Sequence, residues 1–160
     1  SAVKDDWLSL KLKTPKAMRE KLAAKSFLTE DFVHRKWDSH PRRPEFRAEP
    51  EGGRVLLHGH CHQKALWGAE SSAALVRRAV GSRLEVLDTG CCGMAGSFGY
   101  TKGRFELSNK IGELTLCPAA RGMTARDVMI APGTSCRHQV LDGARARALH
   151  PVEYMTSLLL

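Results

Sequence analysis

The sequence predicts an α/β fold: a small parallel sheet of βαβ units preceded by a helical arm. Three apolar runs point to it, Arg54-Val55-Leu56-Leu57-His58, Leu84-Glu85-Val86-Leu87 and Val128-Met129-Ile130-Ala131. Each is followed by glycine and cysteine, and segments with helical spacing lie between them. Strands that alternate with helical patterns of these lengths argue for parallel pairing through crossover helices.

Taken in order, residues 1–30 show helical spacing at Trp7, Leu8, Leu10 and Leu12, then at Ala17, Met18, Leu22 and Ala23. Pro15 suits the first turn of the second helix, with Thr14 as its cap. Residues 38–53 hold Pro41, Pro44, Pro50 and the pair Gly52-Gly53, and read as a linker or long surface loop. The division is therefore a helical arm and linker over 1–53 and a compact body over 54–160. Within the body, strands are expected near 54–58, 84–87 and 127–131. A helix runs through Ala65, Leu66, Ala73, Leu75, Val76 and Val80, and another from about Glu106 to Leu116. A short helix follows Cys136. His150-Pro151-Val152-Glu153-Tyr154-Met155 reads as a turn leading into a terminal helix.

A chain of 160 residues can bury one real core. It opens on Ser1 rather than methionine, as a trimmed or partial polypeptide would. No apolar run approaches the roughly 20 residues that span a bilayer, and no secretory leader is visible at the start. The sequence thus predicts a cytoplasmic protein whose five cysteines are thiols or ligands rather than a disulfide framework. Net charge is +8, but the Lys and Arg residues are scattered and aromatics amount to only 6%. That pattern fits a solvated basic face or a docking face for an acidic partner, and no nucleic-acid site is expected.

The most informative segment is Asp88-Thr89-Gly90-Cys91-Cys92-Gly93-Met94, placed where the second strand ends. Adjacent cysteines seldom bond to each other, because the small ring strains the disulfide. Cys61, in His58-Gly59-His60-Cys61-His62, and Cys136, in Gly133-Thr134-Ser135-Cys136-Arg137-His138, follow the other two strands. Right-handed crossovers bring the carboxyl ends of parallel strands to one edge, where ligands of open α/β sheets bind. Four thiols would converge there, enough for an iron–sulfur cluster or a zinc ion. Gly90, Gly93, Gly96 and Gly133 would let backbone approach such a group. Each cysteine alone reads better as a small buried hydrophobe; the conjunction favours a metal. Cys117, beside Pro118, reads as packing. His58, His60, His62 and His138 are candidates to ligate zinc, to hydrogen-bond a cluster sulfur or to cap helices, and Asp88 is a candidate acceptor or cap.

The segments His58 to Ala65, Asp88 to Tyr100 and Gly133 to Gln139, with the weaker Ala148-Leu149-His150-Pro151-Val152-Glu153, resemble the cysteine-rich CCG domain over about residues 54–157. More narrowly they are similar to the C-terminal part of FAD-linked oxidases that carry an iron–sulfur module, among relatives of lactate or glycolate oxidase, glycerol-3-phosphate dehydrogenase and heterodisulfide reductase. The resemblance implies that Cys61, Cys91, Cys92 and Cys136 bind a 4Fe–4S cluster, with zinc as the alternative occupant. The fullest CCG pattern closes with Cys-x-x-Cys, and here its first position is Gly133. The implied role is electron relay from the flavin of a D-2-hydroxy acid dehydrogenase-like oxidoreductase to an acceptor. FAD would lie in an upstream domain or partner subunit, since no Gly-x-Gly-x-x-Gly fingerprint is present, and the chain is not expected to be catalytic alone. Two other readings stay open: a zinc-binding or metal-free docking module, and a thiol enzyme using Cys91 or Cys92 directly.

Overall fold

The computed structural model of the chain describes residues 2–49 and 52–160. Pro50 and Glu51 of the expected linker, and Ser1, lie outside the described residues.

Four strands, β1 (Val55–Leu57), β2 (Leu84–Val86), β3 (Val128–Ile130) and β4 (Ala148–Leu149), form one sheet in the order β2-β1-β3-β4. Every pair is parallel, with Leu56 opposite Glu85 on one side and Met129 on the other. The α/β fold expected from the sequence is the fold observed.

The two central strands are apolar at every position because both of their faces are covered. Val55 and Leu57 of β1 and Ile130 of β3 point into a core closed by helices α5 (Glu70–Val80) and α9 (Pro151–Ser157). Leu56 and Met129 point to the opposite face, where α7 (Leu116–Arg121) and α8 (Thr134–Ala144) pack through Leu116, Ala120 and Val140. Near-continuous apolar strands of this kind are the mark of a parallel sheet between two helical layers. Each fully buried aliphatic side chain there contributes roughly 1.5–3 kcal/mol over an exposed one.

Three elements differ from the sequence expectation. The helix expected after β1 is two helices, α4 (Cys61–Trp67) and α5, separated at Gly68, whose φ of 76° ends the first. The helix expected to reach Leu116 is α6 (Phe105–Glu113), after which the chain turns into α7. The turn expected before the terminal helix holds the short edge strand β4. His150 then caps α9, accepting from the Val152 N–H while Glu153 accepts from the His150 N–H.

Before the body, α1 (Asp6–Ser9) and α2 (Lys16–Ala24) pack on each other, and Arg19 donates to the Leu10 carbonyl at 2.8 Å. Helix α3 (Thr29–Lys36) packs across α5 and sends the chain into Trp37, which is buried in the α5/α9 core and stacks on Phe46 at 6.0 Å.

The strand order fixes where a ligand can sit. From β1 the chain steps outward to β2, then crosses back to place β3 on the other side of β1. The loops leaving β1 and β3 therefore part from each other, and the crevice between them is the topological switch point of the sheet.

Candidate metal centre

Cys61 opens α4 just after β1, Cys136 lies in the first turn of α8 just after β3, and Cys91 and Cys92 lie in the loop leaving β2. All four are free thiols at the carboxyl edge of the sheet. They stand in two pairs. The sulfurs of Cys61 and Cys91 are 3.8 Å apart. Cys92 and Cys136 lie close enough to shift each other's titration in opposite directions. Two thiolates on one tetrahedral metal at about 2.3 Å stand about 3.8 Å apart, so the first pair already has the spacing of ligands that share a metal. Among the described residues, no set of three or more His, Cys, Asp or Glu side chains is gathered into a single-ion site.

The pairs differ in charge. Cys92 is pushed down to about 6 by the hydrogen bond from Cys136, aided by the backbone N–H groups of Met94 and Ala95. Cys136 is pushed strongly upward by the same bond, with burial adding to it. The two thiols are thus pushed in opposite directions, with Cys92 the one favoured as thiolate. Burial raises Cys91, partly offset by the Gly93 N–H, which donates to its sulfur at 3.3 Å.

That loop is built to turn N–H groups inward. Gly93, Ala95 and Gly96 have φ of 90°, 43° and 70°, a run of left-handed residues that makes a concave nest of donors. Such conformations cost on the order of 1–3 kcal/mol for a non-glycine residue and cluster at functional sites. Gly93 is needed twice over, because a Cβ there would also lie 2.2 Å from the Ser108 carbonyl oxygen. At Gly133 a Cβ would meet the Cys136 sulfur at 2.8 Å and His60 Nδ1 at 2.9 Å. The chain is thus held close against the donors by a residue that leaves them room.

The histidines separate clearly. His58 is fully buried at the end of β1, with Nδ1 2.6 Å from Thr89 Oγ1, and is pushed down to about 4, first by burial and then by the Lys64 charge. Lys64 in turn donates to the Thr89 carbonyl. His62 faces Asp5 at 3.6 Å, and His138 meets the Tyr100 hydroxyl at 3.1 Å. Among these, His60 is the one that reaches a thiol, with Nδ1 3.4 Å from the Cys136 sulfur. Asp88 is exposed. Thr89, which ties the β2 loop to β1, does not stand out in the sequence; its place beside the double cysteine was the available signal. Cys117 is buried, its sulfur 4.0 Å from the Gln139 carbonyl oxygen and packed against Gly112 and Gly143.

The donor set fits a thiophilic metal group: four sulfurs, one imidazole, a nest of N–H donors and glycines where backbone must come close.

No protein-family model and no solved structure matches the chain. Curated relatives do. It is 36% identical over 104 residues to D-2-hydroxyglutarate dehydrogenase of Escherichia coli K12, covering 63% of this chain and 10% of that protein. It is 28% identical over 108 residues to one subunit of the anaerobic glycerol-3-phosphate dehydrogenase of the same strain, covering 66% of this chain and 26% of that polypeptide. The D-2-hydroxyglutarate dehydrogenase of Pantoea ananatis is 33% identical over 106 residues, 64% of this chain and 10% of that protein. The chain is therefore similar to a part of each of two kinds of dehydrogenase, spanning about a tenth of one and a quarter of the other.

Proposed function

We propose that this chain is the iron–sulfur, electron-transferring part of a flavin-linked dehydrogenase, with Cys61, Cys91, Cys92 and Cys136 as the metal ligands. One observation carries the reading: Cys61, Cys91, Cys92 and Cys136 all follow the carboxyl ends of three parallel strands, and the sulfurs of Cys61 and Cys91 stand 3.8 Å apart, the spacing of thiolates that share a metal. Similarity to parts of two dehydrogenases supports the oxidoreductase class.

The chain's own residues have defined tasks. Cys92 and Cys136 are buried and exclude water from the inner side of the site. Cys61 and Cys91 are half-buried and face its rim. The N–H groups of Gly93, Met94 and Ala95 point at sulfur and stabilise its negative charge. A bound cluster would supply a one-electron carrier whose potential follows those hydrogen bonds and its solvent exposure. The flavin, the oxidised substrate and the acceptor belong to the larger assembly; a 2-hydroxy acid is the substrate class we favour, on the similarity to D-2-hydroxyglutarate dehydrogenase.

Anaerobic purification tests the reading. A brown protein containing iron and acid-labile sulfide, and a Cys91→Ser variant that loses both, are expected. In the complete oxidoreductase that variant should still let substrate reduce the flavin, while electron transfer to an external acceptor falls steeply. Normal onward transfer by Cys91→Ser would overturn the relay. A colourless protein with stoichiometric zinc would make the chain a zinc-stiffened docking module instead, which the 3.8 Å sulfur pair also allows.

A further inference from the structure

Among the histidines beside the thiols, His60 is placed unlike the rest. It occupies the N-cap position of α4, yet its ring makes no capping bond. Instead Nδ1 lies 3.4 Å from the Cys136 sulfur. A thiolate and an imidazole nitrogen bound to one tetrahedral metal, at about 2.3 Å and 2.0–2.1 Å, stand about 3.6 Å apart. The observed separation is within the tolerance of such a pair.

The surroundings favour the same use of the ring. Gly133 passes against both donors, so close that a Cβ there would lie 2.9 Å from Nδ1. The imidazole fills space that a side chain at position 133 would otherwise take. On its other side the ring borders a cavity of about 170 Å³ shared with Glu30, Gln63, Trp67 and His150. Gln63 Oε1 is buried there without a hydrogen-bond partner, and Glu30 Oε1, also buried, has His150 Nε2 at 3.6 Å. A metal-bound imidazole carries its hydrogen on the far nitrogen and normally donates it to a carboxylate or carbonyl. The unpartnered Gln63 Oε1 and the Glu30 carboxylate in the cavity the ring borders are acceptors of that kind.

We infer that His60 is a further ligand of the metal group, binding through Nδ1 beside Cys136, so that the site is a mixed sulfur and nitrogen centre. This deepens the proposed function and rests on its thiol ligands. A neutral imidazole at this position leaves the centre less negative than a further thiolate there would, and in iron–sulfur proteins that raises the reduction potential.

X-ray absorption at the metal edge of the purified full chain tests this for whichever metal it holds. Expected is a nitrogen scatterer at about 2.0–2.1 Å with imidazole multiple scattering, lost in His60→Ala and in His60→Cys. His60→Cys keeps a ligand at the position, so it should retain metal with sulfur alone and, for a cluster, show a lower potential. Circular dichroism checks that both variants fold. Iron in an all-sulfur shell in the unaltered chain overturns His60 ligation and leaves the cluster reading standing. Zinc with the nitrogen signal overturns the cluster and leaves His60 ligation standing. A nitrogen signal unchanged in His60→Ala, or a chain that retains neither metal, overturns the inference.

Discussion

Gly133 and Cys117 make opposite demands, and two substitutions separate them. Gly133→Ala puts a methyl group at 2.8–2.9 Å from the Cys136 sulfur and the His60 ring. Its φ of −72° is open to alanine, so the backbone tolerates the change. The expected outcome is a folded protein whose metal retention weakens by roughly 10–100-fold, the range seen when groups that position ligands are disturbed; competition against a chelator measures it. Cys117→Ser should leave iron and sulfide content unchanged, since its sulfur faces the Gln139 carbonyl rather than the paired thiols. Metal analysis decides, and a loss matching that of Cys91→Ser would place Cys117 in the site.

Strands β1 and β3 are fastened together at their starts by one carboxylate. Asp127 accepts from the Arg54 N–H at 2.7 Å, from the Thr124 N–H at 2.8 Å and from the Arg54 guanidinium at 3.0 Å. The Arg54 side chain first, then the Thr124 N–H, hold its carboxyl well below the ordinary 3.8. A carboxyl lowered on folding stabilises the protein above its unfolded value, and the effect is lost as pH falls below about 4. Asp127→Asn should therefore lower stability at pH 7 and flatten the acid limb, so that the gap between wild type and variant narrows steadily as pH falls below about 4. Urea unfolding across that range measures it, and curves that stay parallel would refute the assignment.

The same elements show what the sequence makes legible. β1 and β3 stood out because a strand buried on both faces must be apolar throughout, while β2, an edge strand exposed at Glu85 and Val86, was marked by its position before the double cysteine. β4 did not, since two residues at a sheet edge, Ala148 and Leu149, leave no period to read. The two-helix form of 61–80 turned on Gly68, and a lone glycine in a helical pattern is compatible with continuation. The four thiols were recognisable by their shared position after strands. Their division into pairs, and the choice of His60 over three neighbouring histidines, depend on ring directions that α4 and the β2 loop set in three dimensions.

Over the whole molecule the N-terminal residues divide into a loosely held part and a structural one. Trp7, Leu10, Leu12, Met18 and Leu22 are exposed on α1, α2 and the connection between them, whereas Trp37 is only 9% exposed and lies in the α5/α9 core. Trp37→Ala should cost about 3–5 kcal/mol, as truncation of a buried aromatic does. Removal of residues 1–26 should shift the unfolding free energy far less. Equilibrium denaturation compares the two, and a deletion as damaging as Trp37→Ala would show that α1 and α2 are part of the core. Among the described residues no helix is long and apolar enough to cross a membrane.

The wide spacing of the donors along the chain sets the order of assembly. His60 and Cys136 are 76 residues apart, and Cys61 and Cys91 are 30 apart. Closing loops of those lengths in an unfolded chain costs about 4 and about 3 kcal/mol of entropy, before any metal bond repays it. A metal meeting the unfolded polypeptide finds its donors dispersed, and only the paired sheet gathers them. The apo chain should therefore fold on its own and then load, in contrast to small zinc modules whose folding waits for the ion. A metal bound as proposed would tie three crossover units together, so that their separate openings merge into one and amide exchange slows across β1, β2 and β3 at the same time.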